Sequence, residues 1–212
     1  MVAYAASLLE CEVQDVTFDG DDFTNSLGVG ISLIDLSTKL YVWNHKRLEV
    51  EASWGGQYSP PPAMAACVKI DLDPETGKVE VLDYVAEVDC GTIINPNLVK
   101  VQTEGGLMQG IGMALTEDSP RSDDGRTVYN SLLTYQIPRR DLCPKIRVDF
   151  NSSYEPSGPF GVKSIGEVVI NTPSPAIGNA IYNACGLRLR ELPFLSEDIW
   201  RGLKESSQSL KK

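Results

Sequence analysis

Two stretches of this chain combine reactive side chains with clustered glycines. The first is Asp89-Cys90-Gly91-Thr92-Ile93-Ile94-Asn95-Pro96, which leads into a run holding Gly105, Gly106, Gln109, Gly110 and Gly112. The second is Gly158-Pro159-Phe160-Gly161-Val162-Lys163-Ser164-Ile165-Gly166-Glu167-Val168-Val169-Ile170. In the second, Glu167 follows a glycine and precedes three apolar residues. A carboxylate in apolar surroundings keeps its proton to higher pH, which suits a general acid or base near neutrality. The same pattern also describes a solvated loop glutamate, and residue types alone leave both readings open. Gln109 offers two donors and an acceptor to a mixed polar partner. Asn95-Pro96 reads equally well as part of a polar pocket or as the start of a helix. Lys163 either offsets an anionic group or is solvated.

Regular elements have to position these stretches. Val68, Ile70 and Leu72 alternate with Lys69, Asp71 and Asp73, and Val79 and Val81 flank Glu80 beyond Asp73-Pro74-Glu75-Thr76-Gly77. That is a β-hairpin. The phase shifts at Leu82, after which Leu82, Tyr84, Ala86 and Val88 share a face, so a bulge is expected there. From Asn97 to about Glu117 the pattern is helical, with Leu107, Ile111, Ala114 and Leu115 as its stripe. Glycines in a helix cost about 1 kcal/mol each relative to Ala. Their number here implies that another backbone or a flat ligand comes close. Met108 and Met113 are expected in the core. Tyr129 to Ile137 and Lys145 to Phe150 read as extended or mixed. A helix follows with Ser174 as N-cap, Pro175 at its first position, a stripe of Ile177, Ala180, Ile181 and Ala184, and Gly186 at its end. A last short helix opens at Ser196.

Before the hairpin, residues 2–11 read as a short helix and Val13 to Phe18 as a strand closed by Asp19-Gly20-Asp21. Ser32 to Val42 carries a second helical stripe, Leu33, Leu36 and Leu40. His45 is expected on the surface near its end. Ser53 to Pro62 has three consecutive prolines and no periodicity, and is the expected linker. The organisation is therefore a small N-terminal α/β lobe over 1–52, a larger lobe over 63–205 and a flexible tail over 206–212. The fold class is α+β, two lobes with a β-hairpin and packed helices.

Composition narrows the function. In 212 residues, 29 acidic side chains outnumber 19 basic ones, a formal charge of −10. That disfavours nucleic acid and anionic membranes as partners. No apolar stretch is long enough to span a bilayer, and the first residues lack a secretory pattern. The five cysteines show no Cys-x-x-Cys and read as reduced thiols of a cytoplasmic protein. A single histidine removes most His-based metal sites and Ser-His-Asp triads.

The order Asp-Cys-Gly-Thr-Ile-Ile-Asn-Pro, Glu104-Gly105-Gly106, Gln109-Gly110-Ile111-Gly112, Gly161-Val162-Lys163 and Gly166-Glu167 resembles the molybdenum hydroxylases. These are the xanthine dehydrogenase, aldehyde oxidase and aerobic carbon monoxide dehydrogenase family. The hairpin and the Pro-Ala-Ile-Gly-Asn-Ala-Ile helix look like the C-terminal part of the molybdopterin-binding subunit. The resemblance implies that the larger lobe is the C-terminal portion of a molybdenum-cofactor-binding domain. It implies a molybdopterin, in the cytosine dinucleotide form, that holds molybdenum through its own dithiolene, so that the protein supplies no metal ligand. Glu167 would be the catalytic base, taking a proton from a water-derived oxygen as it attacks an electron-poor carbon. Gln109 and Gly110 would meet the cofactor, as would Gly166. Asp89, Thr92 and Asn95 would line the dinucleotide pocket. The substrate would be a purine, N-heterocycle, aldehyde or similar small molecule. Electrons would leave to Fe-S and FAD partners on other subunits or domains.

Two departures accompany the resemblance. Ser164 stands where the family usually has Gly, and Val168 and Val169 stand where it has small residues. The chain is also several times shorter than the family's subunit. It is therefore expected to be a C-terminal fragment, a piece cut for expression or one half of a split subunit, inactive alone. Its partners would be the N-terminal half and the Fe-S and FAD subunits, with a homo-oligomer among the expected states. A catalytically silent assembly domain is the alternative, and an unrelated α+β binding module a third.

Overall fold

A computed structural model describes residues 1–44, 49–53, 55 and 58–209. The chain divides into two compact units, Met1–Trp54 and Gly55–Lys212. His45 lies outside the described residues.

In the first unit, helix α1 (Val2–Leu8) and a three-stranded antiparallel sheet, β1 (Thr17–Phe18), β2 (Asp22–Thr24) and β3 (Gly30–Ser32), precede helix α2 (Leu33–Thr38). Ser32 caps α2 by accepting the Asp35 N–H, and a π-helical turn, Lys39–Trp43, extends it. Ala5, Ala6, Val16, Phe23 and Leu36 form the core. The expected strand from Val13 is shorter than its pattern. Val13–Asp15 makes a 3₁₀ turn, and only Thr17 and Phe18 pair with β2. Helix α1 likewise stops at Leu8, short of residue 11.

The second unit is built on strands β4 (Ala63–Leu72), β5 (Val79–Asp89) and β6 (Lys145–Asn151), in that order. The hairpin β4–β5 is antiparallel, and β6 lies parallel to β5. Lys69 pairs with Asp83 and Ile70 with Val81, so Leu82 is the extra residue of a bulge. The bulge explains the phase shift, but Leu82 itself is 40% exposed. Val81, before the bulge, shares the core face with Tyr84, Ala86 and Val88 beyond it.

Three further helices cover that face: α3 (Pro96–Leu115), α5 (Pro173–Cys185) and α6 (Ser196–Ser209). A single turn, α4 (Val168–Asn171), precedes α5. Leu107, Ile111 and Ala114 of α3, Ile177 and Ile181 of α5, and Ile199 of α6 pack with Tyr84. Met108 joins this core at its edge, whereas Met113, expected in the core, is 42% exposed. Helix α5 begins two residues earlier than its pattern: Thr172 is the N-cap and Pro173 the first helical residue. Both Pro173 and Pro175 then fall in the first turn, where the missing N–H groups have no intrahelical partner to lose. Helix α6 runs through Ser209, so the expected flexible tail is helical over 206–209.

Candidate active site

The two glycine-rich stretches, some seventy residues apart, meet in an antiparallel bridge between Gly91 and Val162. Thr92 N–H donates to Gly161 O (2.8 Å), and Lys163 N–H to Cys90 O (2.7 Å). Gly91 has φ +73°, and a Cβ there would lie 2.5 Å from Gly161 O. Only glycine admits so close a backbone.

Asp89, at the end of β5, locks this junction. Its carboxylate accepts from Lys163 Nζ (2.7 Å), Ser153 Oγ (2.6 Å) and the Gly91 backbone N–H two residues on (3.0 Å). The Lys163 and Asp89 side chains are 13% and 25% exposed. The Lys163 hydrogen bond, then those of Ser153 and Gly91, hold the Asp89 carboxyl down at about 2 against an ordinary 3.8. Its oxygens are thus taken by the protein's own donors. Asn95 caps α3 by accepting the Leu98 N–H (3.1 Å), with Pro96 at the first helical position. Thr92 is half-buried beside Gly161.

Beyond Lys163, the chain runs back along α3. Gln102 Nε2 donates to the Gly166 carbonyl (3.0 Å). A Cβ on Gly106 would lie 2.2 Å from Val169 Cγ2, and one on Gly110 2.6 Å from Pro173 Cγ. Residues 102, 106 and 110 are spaced one helical turn apart, so one face of α3 receives 166, 169 and 173 in succession. The close approach expected of the glycine-rich helix is real at these two positions, and it is made by side chains of the same chain. The buried Val169, a departure from the family pattern, fills the Gly106 notch. A buried Tyr84 ties the far end of this segment to the sheet, its hydroxyl donating to Thr172 Oγ1 (2.9 Å).

Glu167 is exposed at the N-cap of α4, and Gly166 beside it is open on its side-chain side. Gly105 also faces open space. Gln109, exposed, lies about 10 Å along the α3 face that bears Gln102. The Gln109 amide, the Glu167 carboxylate and the two glycines are thus all exposed. Gln102 and Ser153 were not evident from sequence, and Val169 and Tyr84 were marked there only as a departure from the family pattern and as a strand-face residue. Gln102 carried one unused signal, its seven-residue spacing from Gln109. A separate cavity of about 640 Å³ opens at the C-terminal end of α3, lined by Val81, Ile111, Leu115, Leu133 and Phe194 among others. Gly112 of the glycine-rich run borders it, but Asp89, Thr92, Asn95, Gln109, Gly110, Gly166 and Glu167 do not.

Comparison with known proteins defines the class. Residues 1–144 match the model of the molybdopterin cofactor-binding domain, and the chain belongs to that family, as a molybdopterin-binding region of the molybdenum hydroxylases. It is 31% identical to the nicotine 6-hydroxylase large subunit of Paenarthrobacter nicotinovorans, over 96% of this chain and 26% of that subunit. It is 34% identical to the probable hypoxanthine oxidase XdhD of Escherichia coli K12, over 71% of this chain and 16% of that protein. The crystal structure of a Cu,Mo-CO dehydrogenase superposes with a TM-score of 0.69 at 25% identity, covering 95% of this chain and 27% of that one. The chain therefore spans about a quarter or less of these relatives. Among the described residues, no helix is long and apolar enough to cross a membrane.

The Gln109 amide carries both donors and an acceptor, the chemistry that the polar rim of a molybdopterin requires, and a Cβ at Gly105 or Gly166 would meet nothing within 4 Å.

Proposed function

We propose that this chain forms one wall of a molybdenum-cofactor pocket and carries the catalytic base of a hydroxylase, Glu167. The observation that carries this reading is the seating of the Gly166–Glu167 loop on the glycine-bearing face of α3, with the Glu167 carboxylate left exposed. When bound, the cofactor would supply a two-electron oxidant. The Glu167 carboxylate would accept a proton from the attacking water. A positioned base of this kind contributes roughly 10²–10⁴-fold. Gln109 meets the polar edge of the pterin, and Gly105 and Gly166 leave room for its plane. Thr92 and Asn95 stand just before and at the start of α3, where the positive end of the helix dipole favours the phosphates of a dinucleotide form. Asp89 positions that loop from beneath. Gly110 contributes through its packing on Pro173.

The substrate in this reading is a purine, N-heterocycle, aldehyde or similar small molecule. The remainder of the molybdenum subunit completes the pocket, and Fe-S and FAD partners take the electrons. The cofactor is the cytosine dinucleotide form, and the isolated chain is inactive. The five free thiols fit a cytoplasmic setting.

The test is Glu167→Gln in the assembled, cofactor-loaded enzyme. The amide keeps the size of the carboxylate but takes no proton. Turnover per bound molybdenum should fall at least roughly 10²-fold, with cofactor content unchanged. Near-normal turnover would place the base elsewhere and favour the catalytically silent assembly role.

A further inference from the structure

We infer that Gln102 is a positioning residue for Glu167, an inference that rests on Glu167 being the base. Its Nε2 donates to the carbonyl of Gly166, the carbonyl of the peptide bond that joins Gly166 to Glu167. It thereby fixes the peptide plane from which the Glu167 side chain departs. Gly166 can adopt many backbone conformations, and a Cβ on it would meet nothing within 4 Å. Side-chain packing therefore does not hold this residue.

The tethers on either side lie further off. Upstream, Lys163 N–H is held by Cys90 O. Downstream, Val169 sits in the Gly106 notch. Between them, among the described residues, the Gln102 bond is the one that reaches this peptide from another element. Within the segment, Gly166 N–H makes only a 3.4 Å contact to Ser164 Oγ, and Ile170 N–H donates to Glu167 O at 3.2 Å. Rotation of an unanchored peptide would swing the carboxylate by an ångström or more, and a displacement of about 1 Å from a productive geometry can cost roughly 10²-fold in rate.

The experiment uses the assembled, cofactor-loaded enzyme with Gln102→Met. This variant keeps length and helix propensity and removes the donor. The expected result is a fall in kcat per bound molybdenum of roughly 10- to 100-fold, with KM and molybdenum content little changed. Amide hydrogen exchange at Gly166 and Ile170 should accelerate, while exchange in the β5 core stays as in the parent. In the Glu167→Gln background, Gln102→Met should produce no further loss, because it acts only through the base. Gln102→Asn, too short to reach the carbonyl, should reproduce the Met variant. Unchanged exchange in either variant would overturn the brace, as would losses that simply multiply across the two backgrounds. Near-normal turnover in Glu167→Gln alone would instead overturn the reading of the base, so the two failures are read from different variants.

Discussion

The Lys163 ammonium lies 2.7 Å from Oδ2 of Asp89, joining a residue at the end of β5 to one four places before Glu167. Both side chains are mostly buried, at 13% and 25% exposure. Removing one partner strands the other charge with little water around it. Asp89→Asn or Lys163→Met should each lower unfolding free energy by about 2 kcal/mol, less than a fully buried pair because some solvent reaches the site. The double variant should recover part of the loss. Urea unfolding of the four proteins gives the coupling directly, and strictly additive losses would show that the pair carries no mutual stabilisation.

The same pair sets an acid dependence. The folded-state pKa of Asp89 is depressed to about 2 from 3.8. The stabilisation is therefore fully present above the unfolded value and is lost as pH falls through the folded one. Wild type should exceed Asp89→Asn in stability at pH 6, and the gap should close between about pH 4 and pH 2. Denaturation profiles across that window check it. A gap that persists unchanged to pH 2 would mean that the carboxylate is not the titrating cause.

The α3 notches make a second structural prediction. Ala at Gly106 would drive its Cβ to 2.2 Å from Val169 Cγ2. Against a helix-propensity gain of about 1 kcal/mol, overpacking costs about 1–3 kcal/mol. Gly106→Ala should therefore be neutral to destabilising, and Gly106→Ala with Val169→Ala should be more stable than the sum of the single changes. Thermal melts of the three variants decide it.

Tyr84→Phe should cost about 1 kcal/mol, the ordinary net worth of a buried hydrogen bond. It leaves the Thr172 hydroxyl with only the weak Met64 Sδ acceptor at 3.5 Å. Loss of this bond loosens the start of α5, so amide exchange near Thr172 should rise with the fall in stability. Unchanged exchange there would assign the cost to repacking.

Gln109→Ala tests the cofactor wall separately from the base. An exposed helical Gln→Ala change carries little folding cost. Molybdenum content and activity of the assembled enzyme should fall together, with the rate per bound molybdenum close to the parent's. Full molybdenum loading at a reduced rate would move Gln109 from cofactor binding to the chemistry.

Much of this molecule is local and was therefore legible in the chain. The period-2 hairpin, the bulge at Leu82, the Asn95-Pro96 start of α3 and the left-handed Gly186 after α5 each depend on residues within a few positions of one another. The glycines announced a close approach on α3, but not what approaches: Val169 and Pro173 reach Gly106 and Gly110 only once β5, α3 and α5 are packed. The start of α5 differs from its pattern because two signals compete: the helix opens at Pro173, not Pro175, and Thr172 at the N-cap makes no side-chain cap bond, its hydroxyl instead accepting from Tyr84. The union of the two glycine-rich stretches through Gly91 and Val162, the burial of Lys163 on Asp89 and the reach of Gln102 to Gly166 all join residues more than sixty positions apart. Such contacts form only when the chain closes on itself, since their donors and acceptors have no local partner that would mark them beforehand.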